Sequence, residues 1–113
     1  MTINDYSRQA LRTLLGEHVY GEVDAKLMAQ VLGLGGESGE VLEKFKKILR
    51  DKQGKISGSD RAAIVKELGD VLWYVNAIAH LVGSDLEEVA RLNNEKLASR
   101  QRRDQLQGSG DNR

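Results

Sequence analysis

Several residue types are absent or scarce in this chain of 113 residues, and each absence excludes a class of structure or chemistry. There is no cysteine, which excludes disulfides, thiolate metal ligands and a cysteine nucleophile. There is no proline, which permits long uninterrupted helices. Lysine and arginine together number 17, as do aspartate and glutamate, so the chain lacks the basic excess of proteins that coat nucleic acid.

Long apolar runs are also missing. No stretch approaches the roughly 20 apolar residues of a membrane span, and residues 1–11 lack the apolar segment of a signal peptide. We therefore expect a cytoplasmic protein with neither a membrane nor a nucleic-acid partner. Hydrophobic residues make up 40% of the chain, which lies in the range of globular proteins. The length of the chain predicts one domain, over residues 1–100. The polar composition of residues 101–113 predicts a disordered tail.

Apolar residues recur at helical spacing along most of the chain, which predicts an all-α, bundle-like fold of four to five helices. A first short helix surrounds Tyr6 and precedes a break near Gly16 and Gly21. We expect Asp24 to cap the second helix, and residues 51–59 to form a loop after it. Ser59 or Asp60 then caps the third helix, which ends at Gly83. Ser84 or Asp85 caps the fourth helix.

Four glycines interrupt the apolar stripe of the second helix, namely Gly33, Gly35, Gly36 and Gly39. A glycine inside a helix costs up to about 1 kcal/mol relative to alanine. The cluster therefore predicts either a kink or a place where another backbone or a ligand comes close. Because four modest helices leave a thin core, we also expect a homodimer or a dimer of dimers, formed through the two long helices.

Acidic residues accompany the apolar stripes of both long helices. At about 100° of rotation per residue, Glu37 and Glu40 lie on one side of the second helix, and Glu67 and Asp70 repeat this arrangement on the third. Antiparallel packing would present four carboxylates to one cleft. Such a cluster repels itself unless a cation intervenes. Mg²⁺ takes oxygen ligands and leaves positions for the phosphates of a substrate.

Other interpretations of these acids remain open. The glutamates could lie on solvated helix faces and pair with Lys44 or Lys66. An iron or manganese site of the carboxylate-bundle type uses Glu-x-x-His pairs, and neither His18 nor His80 follows a glutamate at that spacing.

Several segments carry a family resemblance. Residues 33–41, GLGGESGEV, followed by the lysines at 46–47, resemble the first metal motif of the MazG-like nucleoside triphosphate pyrophosphohydrolases. Residues 67–74, ELGDVLWY, resemble the second motif, and residues 93–97, NNEKL, resemble the closing helix of that family. The resemblance covers nearly all of residues 3–100, in the family's order.

The resemblance implies an all-α fold and Mg²⁺-dependent hydrolysis of nucleoside or deoxynucleoside triphosphates to the monophosphate and pyrophosphate, with Mn²⁺ as a substitute metal. A house-cleaning role in the nucleotide pool follows by the same analogy. The implied metal ligands are Glu37, Glu40, Glu67 and Asp70, and the implied substrate contacts are Lys47, Tyr74, Asn93, Lys96 and Arg100. A glutamate not fully used as a ligand could act as the general base, with Glu40 the first candidate and Glu37 the second.

The chain also departs from the family pattern. Gly36 stands where many relatives carry an acid, and residues 101–104 replace a segment that often contains an aromatic residue, proline or glycine. We expect Trp73 in the core or in a dimer interface. The alternative functions are a phosphoribosyl-ATP pyrophosphohydrolase-like enzyme, a nucleotide-binding module without catalysis, and a helical interaction protein.

Overall fold

The computed structural model describes residues 1–14, 16 and 21–103. Within these ranges the chain forms four α-helices and no strand: α1 (Ile3–Leu11), α2 (Ala25–Lys52), α3 (Gly58–Leu81) and α4 (Leu86–Arg102). The predicted all-α fold is confirmed. In this described part, none of the helices combines the length and the apolar character that crossing a membrane would demand.

Most predicted helix boundaries agree with the structure. Asp24 caps α2 and Asp85 caps α4, each by accepting a hydrogen bond from a backbone N–H of the first turn. Gly83 follows the end of α3 with a φ of 86°, a left-handed conformation that favours glycine. α4 extends through Arg102, two residues into the segment predicted as a tail, and residues 104–113 of that tail lie outside the described ranges.

The start of α3 differs from the prediction. The N-cap is Ser57, and neither Ser59 nor Asp60 takes that position. The Ser57 hydroxyl accepts a hydrogen bond from the Asp60 N–H at 3.1 Å, and the Asp60 carboxylate accepts one from the Ser57 N–H at 3.0 Å. This reciprocal capping box satisfies two backbone donors that the helix cannot satisfy itself. The predicted loop over residues 51–59 shortens to residues 53–57.

The two long helices pack against each other as an antiparallel pair. Near the connecting loop, the Lys52 ammonium donates to the Asp60 carboxylate at 2.7 Å. Further along, the Lys44 ammonium lies 3.7 Å from the Glu67 carboxylate. The side chains between the helices are half-buried or buried and recur every seven residues: Leu27, Leu34, Val41 and Ile48 from α2, and Ile64, Val71 and Ile78 from α3. This repeat keeps one side of each helix on the seam between them.

In the half of the seam that lies away from the connecting loop, glycine permits an unusually close approach. A Cβ atom at Gly33 would lie 2.2 Å from Cε1 of Tyr74 and 2.4 Å from its Cζ. The group that comes close at Gly33 is thus the Tyr74 side chain, where the prediction named a backbone or a ligand, and α2 continues as one helix through the whole cluster. At Gly36 and Gly39 a Cβ would meet no atom within 4 Å.

A single chain buries little of its apolar surface. Ile48 and Ala79, each 5% exposed, are the most buried apolar residues among those described. Within the same ranges, α1 makes no close approach to another helix, and α4 approaches only α3.

The capping box at the start of α3 yields a first prediction. We expect Ser57→Ala to lower the free energy of unfolding by about 1 kcal/mol, because the Asp60 N–H loses its acceptor. Ser59→Ala is the matched control and should cost clearly less, since Ser59 caps no helix. Urea denaturation followed by circular dichroism measures both. Equal losses in the two variants would contradict the assignment of the cap.

Candidate metal centre

Three carboxylates meet where α2 and α3 pack. One oxygen from each of Glu37, Glu67 and Asp70 lies within 4.8 Å of the other two. Glu67 and Asp70 stand three residues apart on α3, a spacing that puts both side chains on one side of a helix. Glu37 and Glu67 are half-buried, and Asp70 is exposed. The structure thus brings together three of the four acids predicted as metal ligands, and we call them the acidic trio.

The surroundings of Glu37 oppose the ionisation of its carboxyl group. Burial raises the pKa of the Glu37 carboxyl, and the negative charge of Asp70 raises it further. A hydrogen-bonding contact with Glu67 and the charges of Glu67 and Glu40 act in the same direction. Holding all these groups ionised therefore costs free energy unless a cation balances them.

Glu40, the fourth predicted acid, lies outside the trio. It is exposed, one turn along α2 from Glu37, and close enough for its charge to raise the pKa of Glu37. The alternative of simple pairing with Lys44 applies to Glu67, whose carboxylate lies 3.7 Å from the Lys44 ammonium. Among the described residues, neither Glu37 nor Asp70 forms an ion pair. Pairing with lysine therefore explains the position of Glu67 but not the positions of Glu37 and Asp70.

A cavity of about 350 Å³ opens beside the trio, lined by Glu37, Asp70, Trp73 and Tyr74. The rings of Trp73 and Tyr74 meet edge to face, with centroids 5.0 Å apart and planes at 82°. Trp73 is 58% exposed, so the expectation that it lies in the core of this chain is wrong. Its spacing of three residues from Asp70 is the sequence signal for a place beside the acids.

The other predicted substrate contacts do not line this cavity. Lys47 lies ten residues beyond Glu37 on α2, about 15 Å away along the helix at 1.5 Å per residue. Asn93, Lys96 and Arg100 all lie on α4, which approaches α3 but not α2. Arg100 is 4% exposed. In the part of the chain that the structure describes, none of these four residues lines the cavity, and their roles stay predictions.

The donor set of the trio fits a hard divalent cation. Carboxylate oxygens are the ligands that Mg²⁺ prefers, at about 2.1 Å, so two oxygens on opposite sides of the ion are about 4.2 Å apart. Separations of up to 4.8 Å need only small side-chain rotations to reach that arrangement. Three protein ligands leave the other octahedral positions to water or phosphate oxygens. An all-oxygen octahedral set suits Mn²⁺ as well.

Comparison with known proteins agrees with this geometry. Residues 26–103 match the MazG nucleotide pyrophosphohydrolase domain. The chain is also 50% identical to the gene 37 protein of Mycobacterium phage L5 over 82 residues, which is 73% of this chain and 72% of that protein. No solved structure matches it.

The matched region contains the acidic trio and both aromatic residues of the cavity. The chain belongs to the MazG nucleotide pyrophosphohydrolase family. The resemblance read from the two acidic motifs is thereby confirmed.

The contact between Gly33 and Tyr74 yields a second prediction. We expect Gly33→Ala to destabilise the fold by about 1–3 kcal/mol, because the added methyl group overlaps the Tyr74 ring and forces it to move. Gly36→Ala is the matched control. Its methyl group meets no atom, so it should gain up to about 1 kcal/mol from helix propensity.

Thermal denaturation measures the stability of both variants, and fluorescence of Trp73 reports the shift of the neighbouring ring. The predicted close approach would be contradicted if Gly33→Ala were as stable as Gly36→Ala.

The raised pKa of Glu37 yields a third prediction. A carboxyl whose pKa is raised on folding binds its proton more readily in the folded state, so its ionisation destabilises the fold at neutral pH. Without metal, wild-type stability should therefore rise as the pH falls through the raised pKa toward the ordinary value of 4.5. We expect Glu37→Gln to raise the melting temperature in EDTA at neutral pH and to remove this part of the pH dependence.

Glu43→Gln, on the same helix, is the control with the opposite sign. Hydrogen bonding to Lys46 lowers the pKa of Glu43, so this substitution should lower the melting temperature at neutral pH. A lower melting temperature for Glu37→Gln in EDTA would refute the interpretation of the trio as a self-repelling cluster.

Proposed function

We propose that this protein hydrolyses nucleoside or deoxynucleoside triphosphates to the monophosphate and pyrophosphate, with Mg²⁺, or Mn²⁺ in its place, held by the acidic trio. The supporting observation is the juxtaposition of three carboxylates with an open cavity that carries two aromatic side chains. Membership of a pyrophosphohydrolase family supports the same class of reaction. A house-cleaning role, removing unwanted nucleotides from the pool, is part of this proposal.

The reaction has a defined balance of bonds. The oxygen of a water molecule forms a bond to the α-phosphorus, while the bond from that phosphorus to the oxygen bridging to the β-phosphorus breaks. Pyrophosphate leaves with the bridging oxygen, and the water gives a proton to a base. Bound Mg²⁺ supplies charge neutralisation at the phosphates and acidifies a coordinated water.

Glu40 is the residue that we assign as the general base. It lies outside the trio, so its carboxylate is not committed as a ligand, and it stands one turn from Glu37 on the same helix. Glu37 is the second candidate, because a raised pKa strengthens its affinity for a proton. A carboxylate that also binds metal has fewer lone pairs left to accept that proton, which favours Glu40.

The aromatic pair supplies the part of the site that receives the nucleoside. Trp73 is largely exposed within the cavity that Asp70 also lines, and stacking of a base on an aromatic side chain contributes about 1–3 kcal/mol. Tyr74 forms the adjoining wall. Phosphate and nucleoside contacts from Lys47, Asn93, Lys96 and Arg100 are proposed on the family resemblance.

The experiment that tests the function measures pyrophosphate release from a panel of nucleoside and deoxynucleoside triphosphates with Mg²⁺. Asp70→Asn removes a ligand, and we expect it to abolish both turnover and the Mg²⁺-dependent rise in melting temperature. Glu40→Gln removes the base, and we expect turnover to fall by about 10²-fold or more while the Mg²⁺-dependent rise remains. Glu87→Gln, an exposed acid on α4, is the control and should keep full activity.

Each other outcome has a definite meaning. Release of orthophosphate would place the cut at the wrong phosphorus and refute the proposed chemistry. Turnover confined to phosphoribosyl-ATP would replace the substrate class. No turnover, combined with stabilisation by Mg²⁺ and nucleotide, would make the protein a binding module. Neither turnover nor stabilisation would make it a helical interaction protein.

A further inference from the structure

A lysine lies on the same edge of the seam as the acidic trio. On α2, Glu37 stands three residues after one seam residue and four before the next, and Lys44 repeats this placement seven residues later. On α3, Glu67 has the same placement between Ile64 and Val71. Residues at spacings of three and four share one side of a helix. The sequence therefore sets an acid and a lysine in one row on α2, with an acid in the matching row on α3.

Glu67 faces both of these α2 residues. Its carboxylate lies 3.7 Å from the Lys44 ammonium, and one of its oxygens lies within 4.8 Å of an oxygen of Glu37. The side chains of Lys44 and Glu67 are 38% and 20% exposed, so the solvent screens this pair only in part. Glu67 thus stands between a like charge and an opposite charge.

The contact leaves the Glu67 carboxylate available as a metal ligand. At 3.7 Å the ammonium and the carboxylate are too far apart for a hydrogen bond. Lys44 therefore attracts the charge of Glu67 without occupying a lone pair. The ion pair near the connecting loop differs in this respect, because Lys52 donates a hydrogen bond of 2.7 Å to Asp60.

We infer that Lys44 is a built-in counter-ion of the metal site, which offsets the charge of the trio when no metal is bound and lowers the affinity of the trio for a bare divalent ion. The second half of this inference rests on the proposed function, since it takes the trio as the metal site. Lys44 acts through Glu67 and is therefore a positioning residue.

Lys44 has two opposite effects on metal binding, and their magnitudes decide the direction. By holding Glu67 in place, a partly exposed ion pair changes an equilibrium constant by less than about fivefold. As a competing charge it does more. Mg²⁺ bound about 2.1 Å from that Glu67 oxygen would lie at most about 6 Å from the ammonium, and repulsion at this distance changes a binding constant about tenfold even at the dielectric constant of water. Removal of the ammonium should therefore tighten metal binding.

The test compares Lys44→Met with two controls. Lys44→Arg keeps the charge, and Lys55→Met removes the same charge from the exposed loop between the two helices. The affinity for Mn²⁺ is measured without nucleotide, from the paramagnetic resonance signal of the free ion. We expect Lys44→Met to bind Mn²⁺ at least about threefold more tightly than wild type at low ionic strength, with a smaller gain as salt is added. Both controls should bind it as wild type does.

Stability in EDTA is the second readout. We expect Lys44→Met to lower the melting temperature by about 2–5 °C, because the trio then keeps its charges without the counter-ion. Both controls should melt close to wild type. If Lys44→Met does not fold, Lys44→Gln removes the same charge and is measured in its place.

Opposite changes in the two readouts distinguish a counter-ion from a residue that only supports packing, since lost packing would lower stability and weaken metal binding together. Such a joint loss, or an unchanged affinity for Mn²⁺, would overturn the inference and leave the proposed function standing. A wild-type protein that binds no Mn²⁺ and releases no pyrophosphate would overturn both.

Discussion

The antiparallel seam between α2 and α3 is the contact on which the rest of the structure depends. It brings Glu37 of one helix to Glu67 and Asp70 of the other, and no single helix could assemble that trio. The Tyr74 ring fits against Gly33 within this seam, and the same ring forms one wall of the cavity. The positions of the acids and of the aromatic wall therefore follow from one packing relation.

That relation places like charges together at a cost. Burial and the neighbouring acids both oppose the ionisation of Glu37, and the pKa of its carboxyl group is raised as a result. A fold that keeps such a cluster gives up stability at a site prepared for a cation. Under the proposed function, binding of a divalent ion would stabilise the site and the hairpin together, because the charges it neutralises come from both helices.

Much of this arrangement could be read from the sequence, because it follows from features of single helices. The spacing of Glu37, Glu67 and Asp70 relative to the apolar stripes fixes which side of each helix they occupy, and antiparallel packing then brings them together. Asp24 and Gly83 are recognisable in the sequence as helix ends. The Asp24 side chain can accept a hydrogen bond from the first turn of a helix, and Gly83 can adopt the left-handed conformation that follows the last turn. Ser57 was missed because Ser59 and Asp60 are equally good capping residues, and the reciprocal hydrogen bonds that decide among them depend on the folded backbone.

Features that depend on relations between helices were harder to predict. Large aromatic residues such as Trp73 are mostly buried on average. Its position three residues after Asp70 nevertheless places Trp73 beside the acids. Leu42 and Leu72 belong to apolar helical patterns typical of a core, yet both are largely exposed in the structure. The placement of Lys96 and Arg100 depends on where α4 lies, which helical periodicity does not specify.

Val41 and Val71 lie on the seam, each preceded by an acid, Glu40 or Asp70, and followed by an exposed leucine, Leu42 or Leu72. This order bears on how the hairpin can change over time. Substitutions at Leu42 or Leu72 alter the apolar side alone, and substitutions at Glu40 or Asp70 alter the acidic side alone. Each side can therefore diverge by substitution without disturbing the other. A single-residue insertion or deletion within α2 would instead rotate all later residues of the helix by about 100°. Residues that now face solvent would then face α3, and seam residues would face solvent. We expect lineages of this hairpin to accumulate substitutions freely on its flanks, and to confine changes of length to the loops.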